Sequence, residues 1–183
     1  MEDVERQGIR KTYKYKLKPT PEQERVLERT LMLCRHVYNA AVGERREAWR
    51  MRRITVTYYQ QKAELPGIKE AMPEYADVYS QVLQDVVLRV DRAFHAFFQR
   101  IREGKTPGYP RFPGSNRYSS FTYPQLENGA HLDNGFLVLL SKIGRIALRW
   151  SRPWRARRKQ SRSRGRPTAG MLASPVQTYQ HSR

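Results

Sequence analysis

The chain has 183 residues, with 35 Lys and Arg against 17 Asp and Glu, a net charge of +18 at pH 7, and 11% aromatic residues. That length holds one ordinary domain with an insertion or tail, and the aromatic content argues against wholesale disorder. No apolar run is long enough to span a bilayer, and the start MEDVERQGIRKTYKYK lacks the apolar stretch of a signal peptide. A single cysteine, Cys34, excludes an internal disulfide framework and a multi-cysteine zinc site. The expectation is a cytoplasmic, bacterial-type protein with no membrane partner.

So large an excess of cations repels itself and makes sense opposite a polyanion. Residues 151–183 hold eight Arg, one Lys and no acid, a charge of +9, so the preceding 150 residues carry the other +9. The body is basic without its tail. No helix pairs a wide apolar face with a Lys/Arg-rich one, which favours nucleic acid over an anionic membrane.

In chain order, residues 9–18 (IRKTYKYKLK) alternate: Tyr13, Tyr15 and Leu17 share one face, Arg10, Lys14, Lys16 and Lys18 the other. Period two with aromatics predicts a half-buried strand. Its outer cations, about 7 Å apart, form either a rail for a phosphodiester backbone or the lysine guard of an edge strand. Pro19 ends the strand. Thr20 as N-cap, Pro21 at the first helical position and Gln23 closing a capping box start a helix. Leu27, Leu31, Cys34, Tyr38 and Ala41 continue it at helical spacing to about residue 50. Cys34, among Leu33, Val37 and Tyr38, reads as a buried, inert thiol.

Residues 55–64 are ambiguous, and Leu65-Pro66-Gly67 and Met72-Pro73 read as a turn and a breaker. Tyr79, Leu83, Val87, Val90, Phe94, Phe97 and Ile101 then step by three and four, with Gly104 as the stop. Together these make a helical bundle over 21–104. Residues 105–125 (KTPGYPRFPGSNRYSSFTYPQ) are rich in Pro, Gly, aromatics and cations. Gly135–Leu140 and Gly144–Trp150 are strands, with turns at Asp133-Asn134-Gly135 and Lys142-Ile143-Gly144. A β-unit begun before the helices and resumed after them makes the fold class α+β: a barrel or sheet with a helical insertion.

No catalytic constellation stands out. His36, His95, His131 and His181 lack ligand spacing, and no Walker loop, nucleophile elbow or dinucleotide fingerprint occurs. Glu22, Glu24 and Glu28 suit a helix N-terminus. Of Asp77, Asp85 and Asp91, the last two flank an apolar stripe as a solvated face does, so they do not read as the converging carboxylates of a two-metal nuclease.

The segment KTYKYKLKPTPEQERVLERTLMLCRHVYNAAV, the block GYPRF…RYSSFTYPQ and the closing KIGRI together resemble the OrfB/TnpB family of insertion-sequence proteins, RNA-guided nucleases often described as transposases. The resemblance covers about residues 9–152. It implies a wedge-type β-barrel (8–20 plus 105–152, partial here) interrupted by a recognition-lobe-like helical insertion (21–104). It also implies that the family's nuclease domain and zinc ribbon lie beyond the stretch present, so that no catalytic carboxylates, metal site or cofactor are expected. From residue 153 the pattern dissolves into a basic tail, expected to be disordered. Read one nucleotide back, Lys159–Gln180 can encode a string similar to the strand-rich start of the missing domain, so the tail reads as a frameshift product. The alternative is a selected Arg/Ser-rich tail that binds nucleic acid generically.

Three surfaces are candidates for guide RNA or DNA: the strand face Arg10, Lys14, Lys16 and Lys18; the loop with Lys105, Tyr109, Arg111, Arg117 and Tyr118; and Arg35, His36, Tyr38 and Asn39 on the first helix. Cations neutralise phosphates, tyrosines stack on unpaired bases, and Asn pairs with adenine. Core packing is the favoured role of Tyr38, and Phe112 and Phe121 are also assigned to the core. The leading expectation is a nucleic-acid-binding part of an RNA-guided nuclease without a cutting centre. The alternatives are a stand-alone helix-turn-helix regulator or a non-functional relic.

Overall fold

The structure, a computed structural model, describes residues 15–125, 128–133, 137–149 and 171–173. It is mixed helix and strand: β1 (Lys16–Lys18), α1 (Pro21–Arg52), α2 (Tyr58–Ala71), a 3-10 turn (Pro73–Asp77), α3 (Ser80–Arg102), β2 (Phe121–Tyr123), β3 (Ala130–Asp133), β4 (Leu137–Leu140), β5 (Gly144–Arg149) and β6 (Met171–Ala173).

The expected start of α1 is there in full. The Thr20 hydroxyl accepts from the Gln23 amide at 3.3 Å, and the Gln23 side chain accepts from the Thr20 amide at 3.1 Å. Pro21 occupies the first turn, where a missing N–H costs nothing. Leu27, Leu33, Cys34, Val37, Ala41 and Val42 form the buried stripe of this helix. Burial pushes the Cys34 thiol up to about 12, which fits the inert role expected of it.

The ambiguous segment after residue 54 is a full helix, and the turn expected at Leu65-Pro66-Gly67 is not formed. Pro66 lies inside α2. Leu65 is buried and Ile68 packs against the core, while Pro66 and Gly67 face outward. Burial on one face therefore outweighs the local cost of the proline. Met72-Pro73 does break the helix, as expected.

The three helices run up, down and up. Cys34 of α1 lies near Asp85 and Arg89 of α3, and further along Arg45 reaches Asp91 and Phe94, so the two helices share a sense. α2 returns between those levels. Its Gln61 sits beside Arg45 and Ala41, and near its end Lys69 donates to the Val78 carbonyl at 2.7 Å. Arg45 is the buried brace: its Nε donates to Gln61 Oε1 at 2.9 Å and its Nη1 to Asp91 Oδ1 at 3.0 Å, with its guanidinium over the Phe94 ring. The solvated role expected of Asp85 and Asp91 is thus corrected. Asp85 is buried and paired with Arg89 at 2.9 Å, because α3 buries a face wider than its apolar stripe.

The β-elements form a four-stranded antiparallel sheet in the order β1-β5-β4-β3 and a separate β2–β6 pair, so the sheet is not closed into a barrel. β1, before the helices, pairs with β5, after them, with Leu17 opposite Leu148. β2, β3 and β6 went unread in the sequence. Met171–Ala173 pairs with Phe121–Tyr123 inside the stretch expected to be an irregular tail; residues 151–170 and 174–183 of that tail, Gly135, Phe136 and Trp150 of the expected strands, and Asn134-Gly135 of an expected turn lie outside the described residues. The turn at Lys142–Gly144 is present, with positive φ at Lys142 (71°) and Gly144 (97°).

The sheet caps the end where α1 and α3 begin. Gln23 Nε2 donates to the Arg145 carbonyl at 2.7 Å, and the Tyr79 hydroxyl donates to the Asn128 carbonyl at 3.0 Å. Phe121, Tyr123, Ala130, Leu140 and Ile146 join the helices in one core, with Phe121 fully buried as expected. Arg89 fastens β2 by donating to the Ser120 carbonyl at 2.7 Å and to the Thr122 hydroxyl.

Candidate nucleic-acid interface

The alternation of β1 sets the first surface. Leu17 is buried, and Lys16 and Lys18 are exposed on the opposite face. Register then adds residues that the sequence reading did not name. Lys16 stands opposite Arg149 and Lys18 opposite Ala147. On β5, Ile146 is buried and Leu148 packs against the core, while Arg145 and Arg149 are exposed. Directly opposed residues of an antiparallel pair share a face, and so do residues two apart on one strand. Lys16, Lys18, Arg145 and Arg149 therefore occupy the outer face of the sheet together. Like charges in register are unfavourable by themselves. The signal was in the sequence: Arg145 and Arg149 lie four apart in GRIALR, in phase with the outward face. Arg10 and Lys14 lie outside the described residues.

The second surface is brought together only in part. Lys105 is exposed and pairs with Glu103 at 2.7 Å. Arg111 and Arg117 are exposed, and Tyr109 is partly exposed, edge-on to Phe94 and Phe97 at centroid distances of 5.5 and 5.1 Å. Tyr118 corrects the expectation of base stacking: only 7% exposed, it lies inside the core with its ring 5.7 Å from Tyr38. The cause is the turn at Gly114–Arg117, whose Gly114 carbonyl accepts from the Arg117 and Tyr118 amides at 3.1 and 3.2 Å and folds the tyrosine under α1. Burial raises the Tyr118 phenol well above its ordinary value, and its oxygen has no hydrogen-bond partner among the described residues. Phe112 departs the other way. Assigned to the core, it is 47% exposed, because this proline-rich segment runs across the surface beside Gly43.

On the third surface, Arg35 and Asn39 are half-buried one turn apart on α1, and His36 is exposed. Asn39 Nδ2 donates to the Pro113 carbonyl at 3.3 Å, tying α1 to the loop, while its Oδ1 is buried without a partner among the described residues. Tyr38 is half-buried against the core, the role favoured for it. Among the described residues no helix is long and apolar enough to cross a membrane, and no group of three or more His, Cys, Asp and Glu is placed to hold a metal ion.

The OrfB helix-turn-helix domain model matches residues 9–53. A Streptomyces pristinaespiralis protein, provisionally named RNA-guided DNA endonuclease, is 32% identical over 149 residues, 80% of this chain and 36% of that protein. An Escherichia coli (strain K12) protein, provisionally named RNA-guided DNA endonuclease InsQ, is 29% identical over 143 residues, 76% of this chain and 34% of that protein. The class is therefore that of insertion-sequence transposase proteins. Within it the chain belongs to the OrfB/TnpB family and corresponds to its N-terminal part. It spans about a third of the length of these relatives. Over residues 15–53 the matched domain folds as β1 and one unbroken helix; the next helix starts only at Tyr58.

Proposed function

We propose that the chain is the nucleic-acid-binding part of an RNA-guided nuclease, that it holds guide RNA, DNA or both, and that it does not cut by itself. The observation that carries this reading is the set of four exposed cations, Lys16, Lys18, Arg145 and Arg149, on one sheet face, with Lys16 directly opposite Arg149. A run of exposed cations along one sheet face is a surface that the phosphates of a nucleic acid can follow. Arg10 and Lys14 continue the same alternation and join the rail in this reading. Arg35, Asn39, Lys105, Tyr109, Arg111 and Arg117 contribute from the helical side. The β-unit (8–20 with 105–152) and the helical insertion (21–104) are the working halves, and the basic stretch 153–183 is a frameshifted addition to them. The compartment is the bacterial cytoplasm.

Binding of labelled RNA and DNA by the full chain should weaken steeply with salt. The Lys18→Glu/Arg149→Glu double variant should bind several-fold more weakly and flatten the log K against log salt slope by about two. Salt-independent binding, or a variant indistinguishable from the parent, rejects the reading. Metal-dependent cleavage by the purified chain rejects its second half. The nucleotide sequence of codons 159–180 decides the frameshift.

A second reading, a stand-alone helix-turn-helix regulator, is favoured by the domain match over residues 9–53. The unbroken α1 (Pro21–Arg52) weighs against it, since such motifs join two helices by a short turn within the matched span. Sequence-specific duplex binding without RNA would favour it.

A further inference from the structure

The end of the helices remote from the sheet has the opposite character to the sheet end. α1 and α3 both finish there, and the segment after α3 folds back over them so that Tyr109 meets Phe94 and Phe97. The rings are locked edge to face: Phe97 to Phe98 at 64°, Phe97 to Tyr109 at 69° and Phe94 to Tyr109 at 90°. Phe94, 7% exposed, anchors the cluster in the interior, while Phe98, Ile101 and Tyr109 are 53%, 48% and 39% exposed. Large apolar groups left in water next to one another on a small protein mark a contact surface.

The charges at this end select the kind of contact. Arg100 and Arg102 are exposed in the last turn of α3 and make no ion pair among the described residues. Arg46 of α1 lies close enough to Tyr109 for its charge to act on the phenol. Arg111 is exposed two residues beyond that ring. The acid between them, Glu103, is held by Lys105 at 2.7 Å and by Gln99 at 2.9 Å. Arginines in a last helical turn also complement the helix dipole. That accounts for Arg100 and Arg102, but not for rings kept in water beside them.

We propose that this end is a stacking platform for unpaired bases of a single-stranded nucleic acid, with Phe98 and Tyr109 offering ring faces and edges and Arg46, Arg100, Arg102 and Arg111 taking the phosphates. The inference rests on the nucleic-acid reading above and narrows it to single strands at one place, remote from the sheet rail. Every base has a π-face, so such a platform discriminates paired from unpaired strands rather than sequence. RNA and DNA share this chemistry.

The test is polarisation of the full chain with labelled RNA, DNA and duplex of about 12 nucleotides each, a length typical of single-strand binding sites. The Phe98→Ala/Tyr109→Ala variant should lose about tenfold or more in affinity for the single strands, with duplex binding changed by less than about twofold and a thermal melt lowered only by the lost packing of Tyr109 on Phe94 and Phe97. The Phe98→Tyr variant should retain single-strand affinity. Comparing the RNA and DNA arms tells which strand is preferred. Equal loss on duplex and single strand, or no loss on either, overturns the platform while leaving the sheet rail in force. Loss of self-association in sedimentation, with binding intact, overturns it in favour of a second copy of the chain. A parent chain that binds none of the three overturns this inference and the reading beneath it together.

Discussion

The two ends of the helical unit use the same residue types to opposite ends. Where α1 and α3 begin, arginine and tyrosine are consumed internally: Arg89 is bonded to Asp85, the Ser120 carbonyl and Thr122, and Tyr79 stacks on Tyr123 with centroids 5.7 Å and planes 16° apart while its hydroxyl bonds Asn128. Where they end, Arg100 and Arg102 are exposed and make no close ion pair among the described residues, acting only at longer range on Glu103, and Phe98 and Tyr109 are partly exposed. The difference lies in what covers each end. A sheet with carbonyls and hydroxyls to offer converts polar side chains into structural bonds, whereas an end covered, among the described residues, only by the segment around Tyr109 leaves more of them exposed.

Substitutions should separate the ends by size of effect. The largest is expected at Phe121, fully buried between β2 and α3, where Phe121→Ala should cost about 4 kcal/mol in urea unfolding. Next is Gly129→Ala. The backbone there has φ 115°, and an added Cβ would lie 2.9 Å from Tyr79 Cζ and closer still to Cε1, so a loss of about 3 kcal/mol and a weakened Tyr79 clamp should follow.

Alkaline pH should act on the covered core too. The folded state holds the Cys34 thiol neutral up to about 12, against 9.0 without burial. As pH rises above 9 the unfolded chain releases that proton first, so stability falls through the window from 9 to 12, with a slope of at most about 1.4 kcal/mol per pH unit for this group. Urea melts from pH 7 upward check the sign, and a rise in stability would contradict it. Tyr118→Phe removes a buried hydroxyl without a described partner and should stabilise by about 1 kcal/mol without touching nucleic-acid affinity. A loss of affinity would give the Tyr118 hydroxyl a role in binding that its burial denies it. At the open end Phe98→Ala should move stability by less than about 0.5 kcal/mol. A larger loss there would mean that the platform is part of the core and would erase the contrast.

Local patterns carried much of this fold in advance. The Thr20-Pro21-Gln23 start, the three-and-four spacing of α1 and α3, the breaker at Met72-Pro73 and the turn at Lys142–Gly144 were each legible from short stretches. These depend on backbone preferences and helical periodicity, which act over a few residues. Pro66 misled because its local cost was visible while the burial of Leu65 beside it was not. Strands as short as β2 and β3 carry too few residues for a period to declare itself.

What the sequence by itself determined, then, was a basic α+β chain of the OrfB/TnpB type whose β-strand before the helices belongs with those after them. Only the tertiary structure decided which cations meet across β1 and β5, which of Tyr118 and Phe112 goes inside, and that the aromatic surface centres on Phe98 and Tyr109. Those outcomes depend on register and on turns that join residues far apart in the chain. A period read along one segment says which side of that segment is apolar, and leaves open which other segment will cover it.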